Sequence, residues 1–228
     1  MSALENNVWI IIPSLNEAPV IRKTIEGIIP YGYNIVVVDD GSNDGTCEKV
    51  IDLPICILSH SVNLGQGAAL QTGIEYALKQ GADFLITFDS DGQHNPEDIK
   101  KFLNPLRHEH YDVVLGSRFI NRENFETIPK LKKKVLQLAT WFTRITTRLN
   151  VTDTHNGFRA FSRKAAMNIK IMQNRMAHAS EILHIIAQKK MRYKEIPTSI
   201  LYTDYSTKKG QKVSNAINIL WDILFKRR

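Results

Sequence analysis

Cysteine is scarce in this chain of 228 residues: only Cys47 and Cys56 occur, with eight residues between them. That spacing matches neither a CxxC redox pair nor a zinc site, so a disulfide scaffold and thiol chemistry are set aside and both are expected to be buried thiols. Long apolar runs are missing as well. None approaches the about 18 residues that a spanning helix needs, and the N-terminus lacks the basic start of a secretory signal. A cytoplasmic chain with a sizeable core is expected. No Gly-x-Gly-x-x-Gly and no Gly-Lys-Ser/Thr loop occurs, which removes the dinucleotide and P-loop readings. Acidic residues thin out along the chain. Before Pro129 there are 9 Lys/Arg against 18 Asp/Glu, and from Pro129 onward 21 against 5, so parts of −9 and +16 make up the net +7. The basic part is expected to meet something anionic, either a membrane surface or a phosphorylated substrate. Nucleic acid is disfavoured, because no zinc-finger or RNP-like motif accompanies the charge.

What the chain does have is organised around Phe84-Leu-Ile-Thr-Phe-Asp89-Ser90-Asp91-Gly92-Gln93-His94-Asn95-Pro96-Glu97. A strand-forming run leads directly into two carboxylates one residue apart, then into an Asn-Pro-Glu helix start. In open α/β sheets ligands bind outside the carboxyl ends of strands, so these acids face a ligand and not the core. With the Gln93 amide oxygen, Asp89 and Asp91 offer a hard oxygen set suited to Mg²⁺ or Mn²⁺. Asp-Ser-Asp-Gly is equally good turn chemistry, so the stretch alone leaves both readings open.

Four more strand patterns surround it: Val8 to Pro13, Asn34 to Asp40, Ile55 to Leu58 and Asp112 to Arg118. Helical spacing of apolar residues follows at Val20 to Ile29, Leu70 to Leu78 and Glu97 to Arg107, and Thr46 is expected to cap another helix. Strands alternating with helices predict a mostly parallel α/β sheet covered on both faces. Polar loops end each strand, at Pro13 to Glu17, Asp39 to Gly41, Asn63 to Gly67, Asp89 to Gln93 and Gly116 to Arg118. Gathered on one edge they form a nucleotide-sized crevice. Asp40 could accept from the ring N–H of a base, and Gly65 and Gly67 permit close backbone approach. Beyond Glu126 the pattern changes. Leu131, Val135, Leu138, Phe142, Ile145 and Leu149 form a helical stripe beside Trp141 and several cations, to be covered by the domain or by a bilayer. Asp153 to Arg163 reads as a loop with a fixed cation, Glu181 to Lys190 as a helix and Tyr193 to Ile200 as a strand. Val213 to Arg228 reads as an amphipathic helix.

These ordered motifs, Asp39-Asp40-Gly-Ser-Asn-Asp-Gly-Thr46, Asn63-Leu-Gly-Gln-Gly-Ala68, Asp89 to Glu97, Gly116-Ser-Arg118-Phe and Gly157-Phe-Arg159, resemble the family 2 inverting glycosyltransferases. Within that family they are most similar to dolichyl-phosphate mannose synthases and bacterial polyprenyl-phosphate glycosyltransferases. The resemblance implies a GT-A fold over about residues 1–212, a nucleotide-sugar half to about 128, an acceptor half beyond it and the amphipathic helix 213–228. It implies a UDP- or GDP-sugar donor and a polyprenyl phosphate acceptor; the wide apolar arc of Val213 to Arg228 adds the expectation of a peripheral position at the inner face of a membrane, docked to the bilayer or to a small transmembrane partner. Pro13, Asn16, Glu17 and Asp40 would line the nucleotide pocket, with Gly65, Gly67 and Lys209 also on the donor, and Asp89, Asp91 and Gln93 would hold the metal. Arg118 and Arg159 match arginines near the donor diphosphate and the acceptor phosphate. The chain departs from the family at Gln66, at Asn156 and in the lysine loop Thr207 to Lys212. A phosphate acceptor needs no strong base, whereas a hydroxyl acceptor does, and Asp153 and Glu181 are the candidates for that role.

Overall fold

The computed structural model describes residues 7–120 and 130–198. The Lys208, Lys209 and Lys212 loop and the expected helix 213–228 lie outside them. Seven strands form one sheet: β1 (Val8–Ser14), β2 (Asn34–Asp39), β3 (Cys56–Ser59), β4 (Phe84–Thr87), β5 (Val113–Ser117), β6 (Arg159–Ser162) and β7 (Tyr193–Pro197), in the spatial order β3-β2-β1-β4-β6-β5-β7. The continuous apolar runs of β1 and β2 suit strands covered on both faces, and nearly every residue of the two is buried. Parallel pairing joins β3, β2, β1 and β4 and separately β5 and β7. The mostly parallel α/β architecture is the one the alternating pattern predicts.

The helices are α1 (Ile21–Ile28), α2 (Gln66–Lys79), α3 (Asp98–His108), α4 (Lys130–Thr147), α5 (Arg163–Ala166) and α6 (His178–Gln188). Two apolar layers cover the sheet. Ile11, Val36, Val38, Leu85 and Phe161 meet α2, α5 and α6 on one face, and Ile10, Ile12, Val37, Ile86 and Ala160 meet α1 and α3 on the other. Alternate residues of each strand serve opposite layers, as the period of two requires.

Three expectations need correction. Residues 153–163 are not all loop: β6 runs antiparallel between β4 and β5, pairing Arg159 with Thr87 and with Leu115. No helix follows Thr46; the segment makes turns, with Val50 N–H donating to Cys47. Cys47 and Cys56 are half-buried thiols and not buried ones. In α4, for which cover by the domain or by a bilayer stayed open, Leu138 and Ile145 of the stripe and Trp141 beside it are 49%, 57% and 59% exposed, Thr140, Thr143 and Thr147 are buried, and Leu149 just beyond the helix packs against the core. The Thr147 hydroxyl donates to the Thr143 carbonyl, so a buried hydroxyl is satisfied within the helix itself.

Candidate active site

Because β1 to β5 run in parallel, their carboxyl ends share one edge, and antiparallel β6 begins at that same edge with Arg159. Topology therefore gathers the acids after β4, the Arg118 turn after β5 and Arg159. Sequence separation between them is large; spatial separation is not.

Asp89 is held from three sides. His94 Nε2 lies 3.0 Å from Oδ2 and Gln66 Nε2 3.3 Å from Oδ1. A Cβ at Gly157 would stand 2.4 Å from both carboxylate oxygens, so only glycine allows the backbone to lie against them. Thr87 fixes that backbone by donating its hydroxyl to the Gly157 carbonyl at 2.6 Å. Burial pushes the Asp89 carboxyl up, but the His94 hydrogen bond and the nearby positive charge of Arg159 outweigh it and leave it below the ordinary range. Asp91 behaves oppositely. Burial first, and then the like charge of Asp89, push it up to about 6, with Glu17 adding in the same direction. Its Oδ1 accepts from Gln93 N–H at 3.0 Å.

Crowded carboxylates of this kind are what a divalent cation relieves. Among the described residues no three His, Cys, Asp or Glu side chains approach closely enough to cage a metal. An incomplete protein set fits Mg²⁺ or Mn²⁺, which keeps water and takes phosphate oxygens to complete its shell. Asp89 and Asp91 are the residues present for it, and Gln93 adjoins them.

The nucleotide side is built by the ends of β1 and β2. Pro13 is buried in β1 opposite Val38, and Asn16 stands in the left-handed region at φ 53°. Its N–H donates to Ser42 Oγ and its side-chain oxygen accepts from Asn43 N–H, while Glu17 N–H donates to Thr46 Oγ1. The Asp40 carboxylate is engaged internally, accepting from Leu64 N–H at 3.0 Å and Gly65 N–H at 2.6 Å and meeting His60 Nδ1 at 2.7 Å. In this arrangement Asp40 pins the glycine turn. Gly65 has φ 109°, a conformation that side chains rarely adopt. The close approach that Gly65 and Gly67 permit is made by the chain itself: Asn174 carbonyl accepts from Gly67 and Ala68 N–H, at 2.7 and 3.3 Å.

Arg118 forms a fork-to-fork pair with buried Asp153, at 2.6 and 2.8 Å, and its backbone N–H donates to the same carboxylate. Burial opposes ionisation of Asp153, yet the guanidinium holds it below the ordinary carboxylate range, which makes it a poor base. Glu181 is turned elsewhere, accepting from Met172 and Gln173 N–H at 2.8 to 3.1 Å. It ties down the segment before α6. Arg159 is buried, donates to the Thr154 and Ala179 carbonyls at 3.3 and 3.5 Å, and is lowered to about 10 by burial against the opposing pull of Asp89 and Asp153. It remains a cation at neutral pH. Asn156 is buried with its amide on Thr198 and Phe158 N–H, which shapes the turn before Gly157. Sequence reasoning assigned no role to His94, His60 or Asn174, because none sits in a periodic pattern; only the strand-end position of His94 hinted at one.

Residues 9–170 match the model of Glycosyl transferase family 2. The UDP-N-acetylglucosamine–dolichyl-phosphate N-acetylglucosaminyltransferase of Methanococcus voltae is 33% identical over 95% of this chain and 94% of its own length. The undecaprenyl-phosphate mannosyltransferase of Micrococcus luteus is 31% identical over 68% of this chain and 65% of its own. In fold, the chain is similar to glucosyl-3-phosphoglycerate synthase of Mycobacterium tuberculosis, crystallised with Mn²⁺, UDP and phosphoglyceric acid, at TM-score 0.70 and 18% identity over 96% of this chain and 78% of that one. With a GT-A-like sheet, a strand-end carboxylate pair and a family model spanning well over half its length, the chain belongs to glycosyl transferase family 2 and is a glycosyltransferase.

Proposed function

We propose that this chain transfers a sugar, with inversion, from a UDP- or GDP-sugar to a polyprenyl phosphate at the inner face of a membrane. The observation that carries this reading is the crowding of Asp89 and Asp91 at the sheet edge where buried Arg159 begins β6. The names of the Methanococcus and Micrococcus relatives support a polyprenyl-type acceptor. A divalent ion held by Asp89, Asp91 and Gln93 would neutralise charge on the departing nucleoside diphosphate. The remaining steps fall to the chain. Pro13, Asn16, Glu17 and Asp40 line the nucleotide; Gly65 and Gly67 shape the turn beside it; Arg118, fixed by Asp153, faces the diphosphate. Arg159 offers a permanent cation to the acceptor phosphate; Lys209, assigned to the donor, lies outside the described residues. An acceptor phosphate oxygen forms the new bond to the anomeric carbon as the bond to the diphosphate breaks. It arrives already ionised, so no proton need be removed.

A saccharide hydroxyl acceptor is the second reading. It requires a base, and both candidates are engaged: Asp153 with Arg118, Glu181 with the backbone of residues 172 and 173. No helix among the described residues is long and apolar enough to cross a membrane, and the exposed Leu138, Trp141 and Ile145 of α4 support docking at a bilayer surface. The test is to incubate the chain with labelled UDP- and GDP-sugars, Mn²⁺ and polyprenyl phosphate, and to follow label into organic solvent. Transfer should appear, and Asp91→Ala should reduce it by roughly two orders of magnitude with an unchanged melting temperature. An inactive nucleotide-sugar-binding scaffold would show neither transfer nor metal-dependent donor hydrolysis.

A further inference from the structure

His94 is 4% exposed and lies in an aromatic cage, its ring centroid 5.4 Å from Phe88 and 5.0 Å from Phe158. Phe158 in turn stacks on Phe102 of α3 at 3.9 Å, so the imidazole is anchored to the apolar layer beneath the sheet edge. Its two nitrogens are treated differently. Nε2 meets Asp89 Oδ2 at 3.0 Å, whereas Nδ1 is buried without a hydrogen-bond partner. A carboxylate only accepts, so Nε2 carries the proton. Packing alone gives no return for the unpartnered nitrogen. A phenyl ring would fill the same cage without it.

We infer that His94 is a positioning residue for the metal site, holding the Asp89 carboxylate against the Gly157 backbone so that its remaining lone pairs face the cation. This rests on the metal reading above. With His94 on Oδ2, Gln66 on Oδ1 and Gly157 across the face, rotation of the carboxylate is opposed from every side the chain supplies. Partners of this kind, one shell out from a metal, set the orientation and basicity of the ligand they hold.

The experiment is Mn²⁺ binding followed by the loss of the free-ion electron paramagnetic resonance signal, with UDP or GDP present. His94→Phe keeps the ring and removes the donor. It should weaken Mn²⁺ binding about 10- to 100-fold while melting close to wild type. His94→Gln, which can return an N–H, should recover part of the loss. Should the phenyl variant fail to fold, His94→Leu carries the same expectation. Wild-type affinity in a folded His94→Phe or His94→Leu overturns the inference and leaves the metal reading intact. Absence of Mn²⁺ binding by the wild-type chain overturns both.

Discussion

Arg118 and Asp153 show how one residue can suggest two chemistries until its partner is seen. An aspartate near a reacting centre reads as a base, but one gripped by both arms of a guanidinium reads as a holder of that cation. Removing one member of a buried pair leaves the other uncompensated. Asp153→Asn should therefore destabilise the fold by about 3 kcal/mol in urea unfolding. The double variant with Arg118→Met should cost less than the two single changes added together. An unaltered unfolding midpoint combined with lost turnover would return the base role to Asp153. Residues differed in how far sequence revealed them. Asp89 and Asp91 were legible because a strand run pointed straight at them. His94 was not, since its meaning lies in which nitrogen is satisfied, and of Asp40 the sequence suggests a base contact but not its hold on Leu64 and Gly65.

At the scale of elements, the pieces that follow the alternation of strand and helix were legible, even the four residues of β3 and β4, and the strand that breaks it was not. β1 and β2 carry continuous apolar runs and α2 a helical period, whereas the four residues of β6 are too few to show a period and their antiparallel direction breaks the alternating rule. The α4 stripe left its cover open for another reason: apolar spacing identifies a face but not what covers it, and buried threonines took the side toward the domain. Helix α6 carries a testable charge effect at its first residue. Burial, followed by the charge of Arg159, lowers His178 to about 4, while its Nδ1 stays 2.8 Å from the Arg175 carbonyl. Between its ordinary value and about 4 the unfolded chain binds a proton that the folded chain refuses, so this group's contribution is present at pH 7 and is lost as pH falls through that window. The effect is about 1 kcal/mol per pH unit. The melting temperature of His178→Asn relative to wild type should rise steadily from pH 7 to pH 4.5, which separates this group from Asp91, whose raised value acts in the opposite direction. A constant difference across that range would exclude the effect.

The whole molecule joins an acidic first part to a basic second part within a single sheet. Composition showed the division, but not that β6 crosses it to pair with β4. The basic part also carries the exposed Leu138, Trp141 and Ile145, a combination of apolar wedge and positive field that suits an anionic lipid surface. The chain should therefore float with anionic vesicles at low salt and be released as salt is raised. Trp141→Ser with Ile145→Ser should reduce flotation several-fold while sparing metal-dependent donor hydrolysis. Recovery of the intact chain wholly apart from anionic vesicles at low salt would sink direct docking.

The antiparallel strand also dictates an order of assembly. β3, β2, β1 and β4 can pair as soon as the first half has been synthesised, but β5 pairs only with β6 and β7, both of which come later in the chain. A growing polypeptide therefore holds β5 without a sheet neighbour and leaves one edge of β4, the strand that delivers the site acids, open to other chains. Arg159 closes that edge opposite Thr87, 72 residues further on. The same strand that completes the reaction centre ends the interval in which a nascent chain is most exposed to wrong partners.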